Sequence, residues 1–220
     1  MAEKQQQQQI YERLAQLGGA MSNPHRLKMI SLLAQGEKTI DELAGLTGQS
    51  LALTSSHIKV LRNSHLIETD KRGRSVYCRL ADERAADLWL RFRDLGETVV
   101  PEIREIMRTR FDNDEGLSPL GPTDLADRLA DGRVSLLDLR SPSEFQQGHL
   151  PRAQNVPFAT LSEAAAELPR RRALLVYCRG PFCAAAFEGN RWLREQRYKS
   201  QRLRFSVPEW KAAGLPVETV

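Results

Sequence analysis

Apolar residues recur at helical spacing over the first sixty positions and then switch to alternation. Ile10, Leu14 and Leu17 lie three and four apart, predicting a helix over residues 6–17 behind a frayed, low-complexity Gln run. Asn23-Pro24 offers an N-cap and a proline at the first helical position, so a second helix follows. Leu27, Ile30, Leu33 and Ala34 form its buried stripe, and Gln35-Gly36 ends it. Thr39-Ile40-Asp41-Glu42 fits a capping box and opens a short third helix to about Leu46. After the turn Thr47-Gly48-Gln49, a fourth helix runs from near Ser50 to Arg62 with Thr54, Ile58 and Leu61 facing inward. Helix, glycine-containing turn and helix make a helix-turn-helix. Residues 66–69, the turn Asp70-Lys71-Arg72-Gly73 and residues 74–80, where Val76, Cys78 and Leu80 alternate, predict a hairpin with a basic tip.

Residues 82–111 return to helical spacing, with Leu88, Phe92, Leu95, Val99, Ile103 and Ile106 three and four apart and Pro101 able to divide the stretch. So long an apolar stripe needs a partner, either a second copy of the chain or the second domain. Residues 112–122 are acidic, rich in Gly and Pro and aperiodic, and read as a linker. From residue 123 helices and strands alternate. Helices are expected over 124–130, 143–147, 161–168 and 184–196, with extended segments over 134–139, 154–157, 173–177 and near 202–205. That pattern predicts a small α/β domain with a mainly parallel sheet. The domains are then 1–81, the helical region 82–111, the linker 112–122 and 123–220, in keeping with 220 residues making two domains.

The net charge of +4 is unevenly spread. Residues 1–80 carry 11 Lys+Arg against 7 Asp+Glu, residues 81–120 carry 6 against 10, and residues 57–80 alone hold 6 against 2. A local basic cluster points to nucleic acid. Ser55, Lys59 and Arg62 share one stripe of the fourth helix, with Ser56 beside them and Leu51 near its start, a set suited to the major groove. Lys71, Arg72 and Arg74 at the hairpin tip are placed for phosphates. No run approaches 18 apolar residues, so no membrane span is expected, and the N-terminal M-A-E-K-Q-Q-Q-Q-Q has no signal-peptide core, which implies a cytoplasmic protein. Three cysteines argue against a disulfide framework. His25, His57 and His65 read as capping, DNA-facing or packing residues, and no metal or cofactor is expected. Cys78 alternates inward and reads as packing, with a thiol sensor as the other reading.

The distinctive chemistry lies at V-Y-C-R-G-P-F-C, residues 176–183. An apolar strand stops at Cys178, turns through Arg179, Gly180, Pro181 and Phe182, and enters a helix after Cys183. Backbone N–H groups of such a nest and the helix dipole favour an anion, so a thiolate at Cys178 would be stabilised there. The other reading is a buried structural cysteine at a strand end. Cys183 either resolves a modified Cys178 or simply packs at the helix start.

Two resemblances sharpen these readings. N-P-H-R-L-K-M-I-S-L-L, T-I-D-E-L-A, S-H-I-K-V-L-R and G-R-S-V-Y-C-R-L resemble the ArsR-type winged-helix repressors over about residues 15–80. That likeness implies a homodimer on palindromic operator DNA, with residues 82–111 as the dimerisation region. Metal sensing at the family's third-helix cysteines is not expected, because T-I-D-E-L-A-G-L-T-G contains none. Over about residues 122–218, L-L-D-L-R-S-P-S-E-F-Q-Q-G-H-L-P-R-A-Q-N-V-P, Y-C-R-G-P-F-C and P-E-W-K-A-A-G-L-P-V resemble the rhodanese sulfurtransferases. This implies that Cys178 takes sulfane sulfur from thiosulfate, polysulfide or a persulfide and carries it as a persulfide. Asp138, Arg140 and His149 fall on the first signature and are assigned to holding the domain together. The loop departs from C-x-x-G-x-[RT] by ending in Cys183, which speaks against rapid thiosulfate turnover, and it leaves Arg179 as the nearest cation for an anionic donor. The expectation is an α+β winged helix-turn-helix domain followed by an α/β rhodanese-like domain, in a DNA-binding repressor whose output follows sulfur chemistry at Cys178. The alternatives are a working sulfurtransferase whose DNA-binding half only controls its own synthesis, and a regulator with an inert rhodanese module.

Overall fold

In the computed structural model, which describes residues 2–112, 116–132, 134–170 and 172–220, the Gln-rich start is part of α1 (Ala2–Met21). Gln is a good helix former and neither Gly nor Pro intervenes before Gly18, so the helix runs further at both ends than apolar spacing alone predicts. Helix α2 (Pro24–Leu33) starts where Asn23 Oδ1 accepts the N–H groups of His25 and Arg26, at 3.0 and 3.2 Å. Its buried residues are Met29, Ile30, Leu32 and Leu33, so the stripe is rotated from the expected one and Leu27 and Ala34 are only half-buried. Strand β1 (Lys38–Thr39) leads into α3 (Ile40–Thr47), whose capping box is complete: Thr39 N–H donates to Glu42 at 2.7 Å and Glu42 N–H to Thr39 Oγ1 at 3.1 Å. Gly48, at φ +72°, ends α3 in the left-handed conformation that a β-carbon disfavours.

Helix α4 (Leu51–Asn63) begins at Ser50, whose hydroxyl accepts Leu53 N–H. Strands β2 (Ile67–Arg72) and β3 (Ser75–Leu80) form the hairpin, with β1 on the far side of β3. The turn is tighter than expected. Pairing persists to Arg72↔Ser75, leaving Gly73 (φ +62°) and Arg74 as its centre, because a two-residue turn matches the twist of the strands. Met29, Ile30, Leu43, Ile58, Leu61, Ile67 and Cys78 make up the core of this part.

Helix α5 (Glu83–Val99) is followed by α6 (Pro101–Ile106) and a π-helical turn, Met107–Phe111. The break falls at Val100, whose extended backbone (φ −99°, ψ 107°) is what a residue before proline prefers. By its contacts the chain divides into Met1–Trp89 and Leu90–Val220, so the boundary lies inside α5. The linker expected at 112–122 falls partly on residues 113–115, outside the described residues. Leu117 bridges in parallel to Arg202.

The second unit continues through α7 (Pro122–Ala130), β4 (Val134–Asp138), α8 (Pro142–Gln147), β5 (Ala153–Asn155) and α9 (Leu161–Ala164). Then come β6 (Ala173–Tyr177), α10 (Ala184–Glu195), β7 (Ser200–Arg202) and α11 (Val207–Ala212). The four strands are parallel in the order β5-β4-β6-β7. Alternation along β6 fills both faces: Leu174, Val176 and Cys178 pack with Leu137, Leu161, Ala186 and Leu193, while Leu175 and Tyr177 pack with Leu125, Leu136, Phe205 and Trp210. Gly189 lets α10 approach the sheet, since a β-carbon there would sit 2.7 Å from Leu139 Cδ1. Among the described residues, no helix is long and apolar enough to cross a membrane.

Candidate functional site

The helix-turn-helix presents the residues expected to meet DNA. Leu51, Ser55, Ser56, Lys59 and Arg62 of α4 are exposed, while Thr54, Ile58 and Leu61 are buried beneath them. At the hairpin tip Lys71, Arg72 and Arg74 are exposed as well. Arg72 is held: it donates to both oxygens of Glu37 at 2.7 and 2.9 Å and to Asp70 at 2.8 Å, and its guanidinium lies 4.5 Å from the centre of the Tyr77 ring. His25 and His57 stack with centroids 5.7 Å apart, and burial beside Arg26 and His25 holds the His57 pKa below its usual value. Cys78 is fully buried and its thiol is pushed up to about 11, chiefly by burial.

The second site forms where β6 ends. Cys178 is 1% exposed, and its carbonyl accepts the Ser206 hydroxyl. Gly180, at φ +99°, turns the chain back so that Cys183 N–H donates to Gly180 C=O at 3.2 Å. Cys183 then stands at the N-cap of α10, half-buried. Pro181 is buried and Phe182 is exposed. The structure thus brings Cys178, Arg179, Gly180, Pro181, Phe182 and Cys183 into one tight loop, with Cys183 packed on the core cluster that holds Cys178.

The charge in this loop sits differently from the expectation. The Cys183 pKa is lowered to about 6 by the Cys178 thiol first, then by the Arg179 and Ala186 backbone amides and the Arg179 charge, against the opposing effect of burial. Cys178 is pushed well above the usual thiol range, first by that same hydrogen bond and then by burial. Of the two thiols, Cys183, at the N-cap of α10, is therefore the more acidic.

Arg179 is committed within the fold. It forms a fork with Glu144, at 2.8 Å from Nε and 2.6 Å from Nη2. Glu144, 2% exposed, also completes the capping box of α8 with Ser141. On the other flank, Glu209 completes the capping box of α11 with Ser206 and pairs with Arg93 of α5 at 2.6 Å. A β-carbon at Gly180 would meet Glu209 Oε1 at 3.3 Å and Arg93 Nη1 at 3.7 Å, so only glycine fits this turn. Glu144, Ser206, Glu209 and Arg93 received no role from sequence reasoning. The signal for the first three was the pair of S-x-x-E capping boxes; Arg93 carried none.

Beneath the loop, Arg140 and Asp138 are fully buried and paired at 2.6 Å, Tyr177 Oη donates to Asp138 at 2.6 Å, and Arg140 also donates to Gly148 C=O at 2.8 Å. His149 Nδ1 lies 2.9 Å from Phe145 C=O, with its ring stacked on Phe145.

Residues 23–69 match the family described as bacterial regulatory protein, arsR family, and residues 121–213 match the rhodanese-like domain. Over 209 residues the chain is 32% identical to the HTH-type transcriptional regulator Rv0324 of Mycobacterium tuberculosis, covering 95% of this chain and 92% of that one. The chain belongs to the ArsR-family regulators. It is an ArsR-type regulator with a C-terminal rhodanese domain. That domain is 34% identical to a sulfurtransferase of Allochromatium vinosum over 95 residues, 42% of this chain and 87% of the relative. The N-terminal part is similar to the homodimeric winged helix-turn-helix domain Mb0332 of Mycobacterium bovis, 29% identical with a TM-score of 0.40, covering 42% of this chain and 86% of that one.

In this ArsR–rhodanese regulator the loop can hold one negative charge between two sulfurs and lies within reach of two arginine–glutamate pairs. Such a loop suits sulfur transfer through an S–S bond, since thiolate is the reactive form.

Proposed function

We propose that this regulator is a homodimeric, cytoplasmic repressor that binds operator DNA through α4 and the hairpin and loosens its grip when Cys178 takes up sulfane sulfur. Thiosulfate, polysulfide or a low-molecular-weight persulfide is the donor class. A second copy is the partner that suits the exposed Leu88, Phe92, Leu95 and Val99 on α5. Ser55, Ser56, Lys59, Arg62, Lys71 and Arg74, joined by Leu51 and Arg72, form the DNA-facing set.

One observation carries the coupling: Arg93, on the helix with that apolar stripe, is paired with Glu209 against Gly180 of the cysteine loop. Cys178 is buried and Gly180 has no spare room, so an added sulfur atom must displace the loop. Displacement disturbs the Arg93–Glu209 pair and through it α5. Allostery requires that the two sulfur states bias two arrangements of the protein, and a tenfold change in DNA affinity corresponds to about 1.4 kcal/mol.

The test is fluorescence anisotropy on the upstream DNA of its own gene, at fixed salt, before and after treatment with a sulfane donor. Wild type should bind more weakly after treatment and Cys178→Ser should not. Equal binding by both throughout would end the sensor reading. The second reading, a sulfurtransferase enzyme, draws on the similarity to the A. vinosum protein. Against rapid turnover stand the burial of Cys178 and the engagement of Arg179 by Glu144. Cyanide-dependent thiocyanate formation at substantial rates would favour the enzyme.

A further inference from the structure

The proposed function uses Cys178 alone, yet the loop presents two free cysteines. A turn closed by Cys183 N–H and Gly180 C=O brings Cys183 back toward the strand end, and both cysteines pack on the same core cluster. Cys183 is the more accessible of the two. The two thiols act on each other's acidity in opposite directions, Cys183 being made more acidic and Cys178 less.

We propose that Cys183 resolves the persulfide on Cys178, closing a Cys178–Cys183 disulfide and expelling the transferred sulfur as hydrosulfide. The inference rests on the reading of Cys178 as the sulfur acceptor. In the first step the proton shared by the two thiols passes to Cys183, and the Cys178 thiolate attacks the outer sulfur of thiosulfate. A Cys178 S–S bond forms, and sulfite leaves with the electron pair of the broken bond. In the second step Cys183 attacks the inner sulfur, Cys178 Sγ. The new Cys178–Cys183 bond forms, the bond to the outer sulfur breaks, and that sulfur leaves as HS⁻ with the electron pair and the proton from Cys183. Two thiol groups are oxidised to one disulfide, and one sulfane sulfur is reduced by two electrons to sulfide. A low-molecular-weight thiol returns the loop to its starting state.

Three features favour this course over a stored persulfide. The acidity of Cys183 keeps a resolving nucleophile available at neutral pH. The burial of Cys178 leaves little space for an extra sulfur, and expulsion relieves it. The glycine at Gly180 permits the tight loop that an S–S bond requires. The protein then reports sulfane sulfur as a redox change in the loop, after a single sulfide-releasing event per chain.

The experiment uses the full-length protein, reduced, desalted and kept anaerobic, then exposed to thiosulfate or, in a parallel arm, to inorganic polysulfide. Intact mass and released sulfide are read for wild type, Cys183→Ser and Cys178→Ser, with circular dichroism confirming that each is folded. Wild type should lose the mass of two hydrogens and, in the thiosulfate arm, release one sulfide per chain. Cys183→Ser should gain one sulfur atom and release none. If wild type and Cys183→Ser both keep an added sulfur, the resolving step is wrong while Cys178 stands as acceptor. If Cys178→Ser loads and Cys183→Ser does not, the acceptor is Cys183 and the proposal in this direction falls. Loss of two hydrogens without sulfide marks ordinary oxidation and overturns it. No sulfur on any variant from either donor ends both this proposal and the reading it rests on.

Discussion

Removing the Cys178 thiol should raise the pKa of Cys183. The folded protein holds that pKa at about 6 against an ordinary 9.0, and the hydrogen bond from Cys178 is its largest cause. A hydrogen bond to a charged acceptor contributes about 1.5–3 kcal/mol, and about 1.4 kcal/mol corresponds to one pH unit. Cys178→Ala should therefore move the midpoint upward by about one to two pH units. At a pH of about 6.5 the thiolate fraction on Cys183 then falls about 3- to 25-fold. The assay is iodoacetamide alkylation across pH, resolved by peptide mass spectrometry so that Cys183 is read separately from Cys78. Nucleophilicity grows with thiol pKa, so the midpoint and not the absolute rate is compared. Cys178→Ser serves as the control, since a hydroxyl keeps a donor in place and should keep most of the depression. A wild-type midpoint near 9.0 would refute the thiolate on Cys183. A midpoint near 6 that Cys178→Ala leaves unmoved would refute Cys178 as its source and leave the backbone amides and Arg179. Folding carries the matching sign. Because the folded-state pKa is depressed, the Cys183 contribution to stability is complete above the ordinary 9.0 and is lost as pH falls through about 6.

Three further outcomes follow from the packing and the charges. Glu144→Ala removes the carboxylate that both caps α8 and pairs with Arg179, and urea unfolding should show a loss of about 3 kcal/mol. Gly189→Val drives a side chain into Leu139, Leu161 and Phe158, so the second unit should lose about 1–3 kcal/mol, read as a lower Tm. Lys59→Ala and Lys71→Ala should each weaken operator and non-operator DNA alike and lower the slope of log K against log salt by about 0.9. An unchanged slope would place those lysines away from phosphate.

Much of the fold was legible because its signals are local. The Asn23 cap, the Thr39–Glu42 box and the turn at Gly48 each act within one turn of chain, and the structure uses each of them. The boundaries that shifted depend on neighbours. The hairpin turn tightened because β3 pairs out to Arg72, and the α2 stripe rotated because Met29 and Leu32 meet the core. The loop at the end of β6 was legible from an apolar run stopping at a cysteine, but the location of its charge was not. The order of residues does not disclose that Cys183, at the N-cap of α10, is the more acidic of the two thiols.

The arginines around the loop show how a local signal can carry long-range information. Ser141-x-x-Glu144 and Ser206-x-x-Glu209 are two capping boxes. A carboxylate has about four acceptor sites, and a capping box leaves some of them unused. At an exposed helix start water fills the rest. Away from bulk water a cation can fill them, and here buried Glu144 takes Arg179 and half-buried Glu209 takes Arg93. The two boxes start helices from different strand ends and yet converge on the same cysteine loop. Their second duty is to fix a guanidinium at each flank of it. One pair lies inside the rhodanese fold, and the other reaches the helix proposed to join two copies. In the proposed switch, the residues that position the loop are therefore also those through which its movement would leave it.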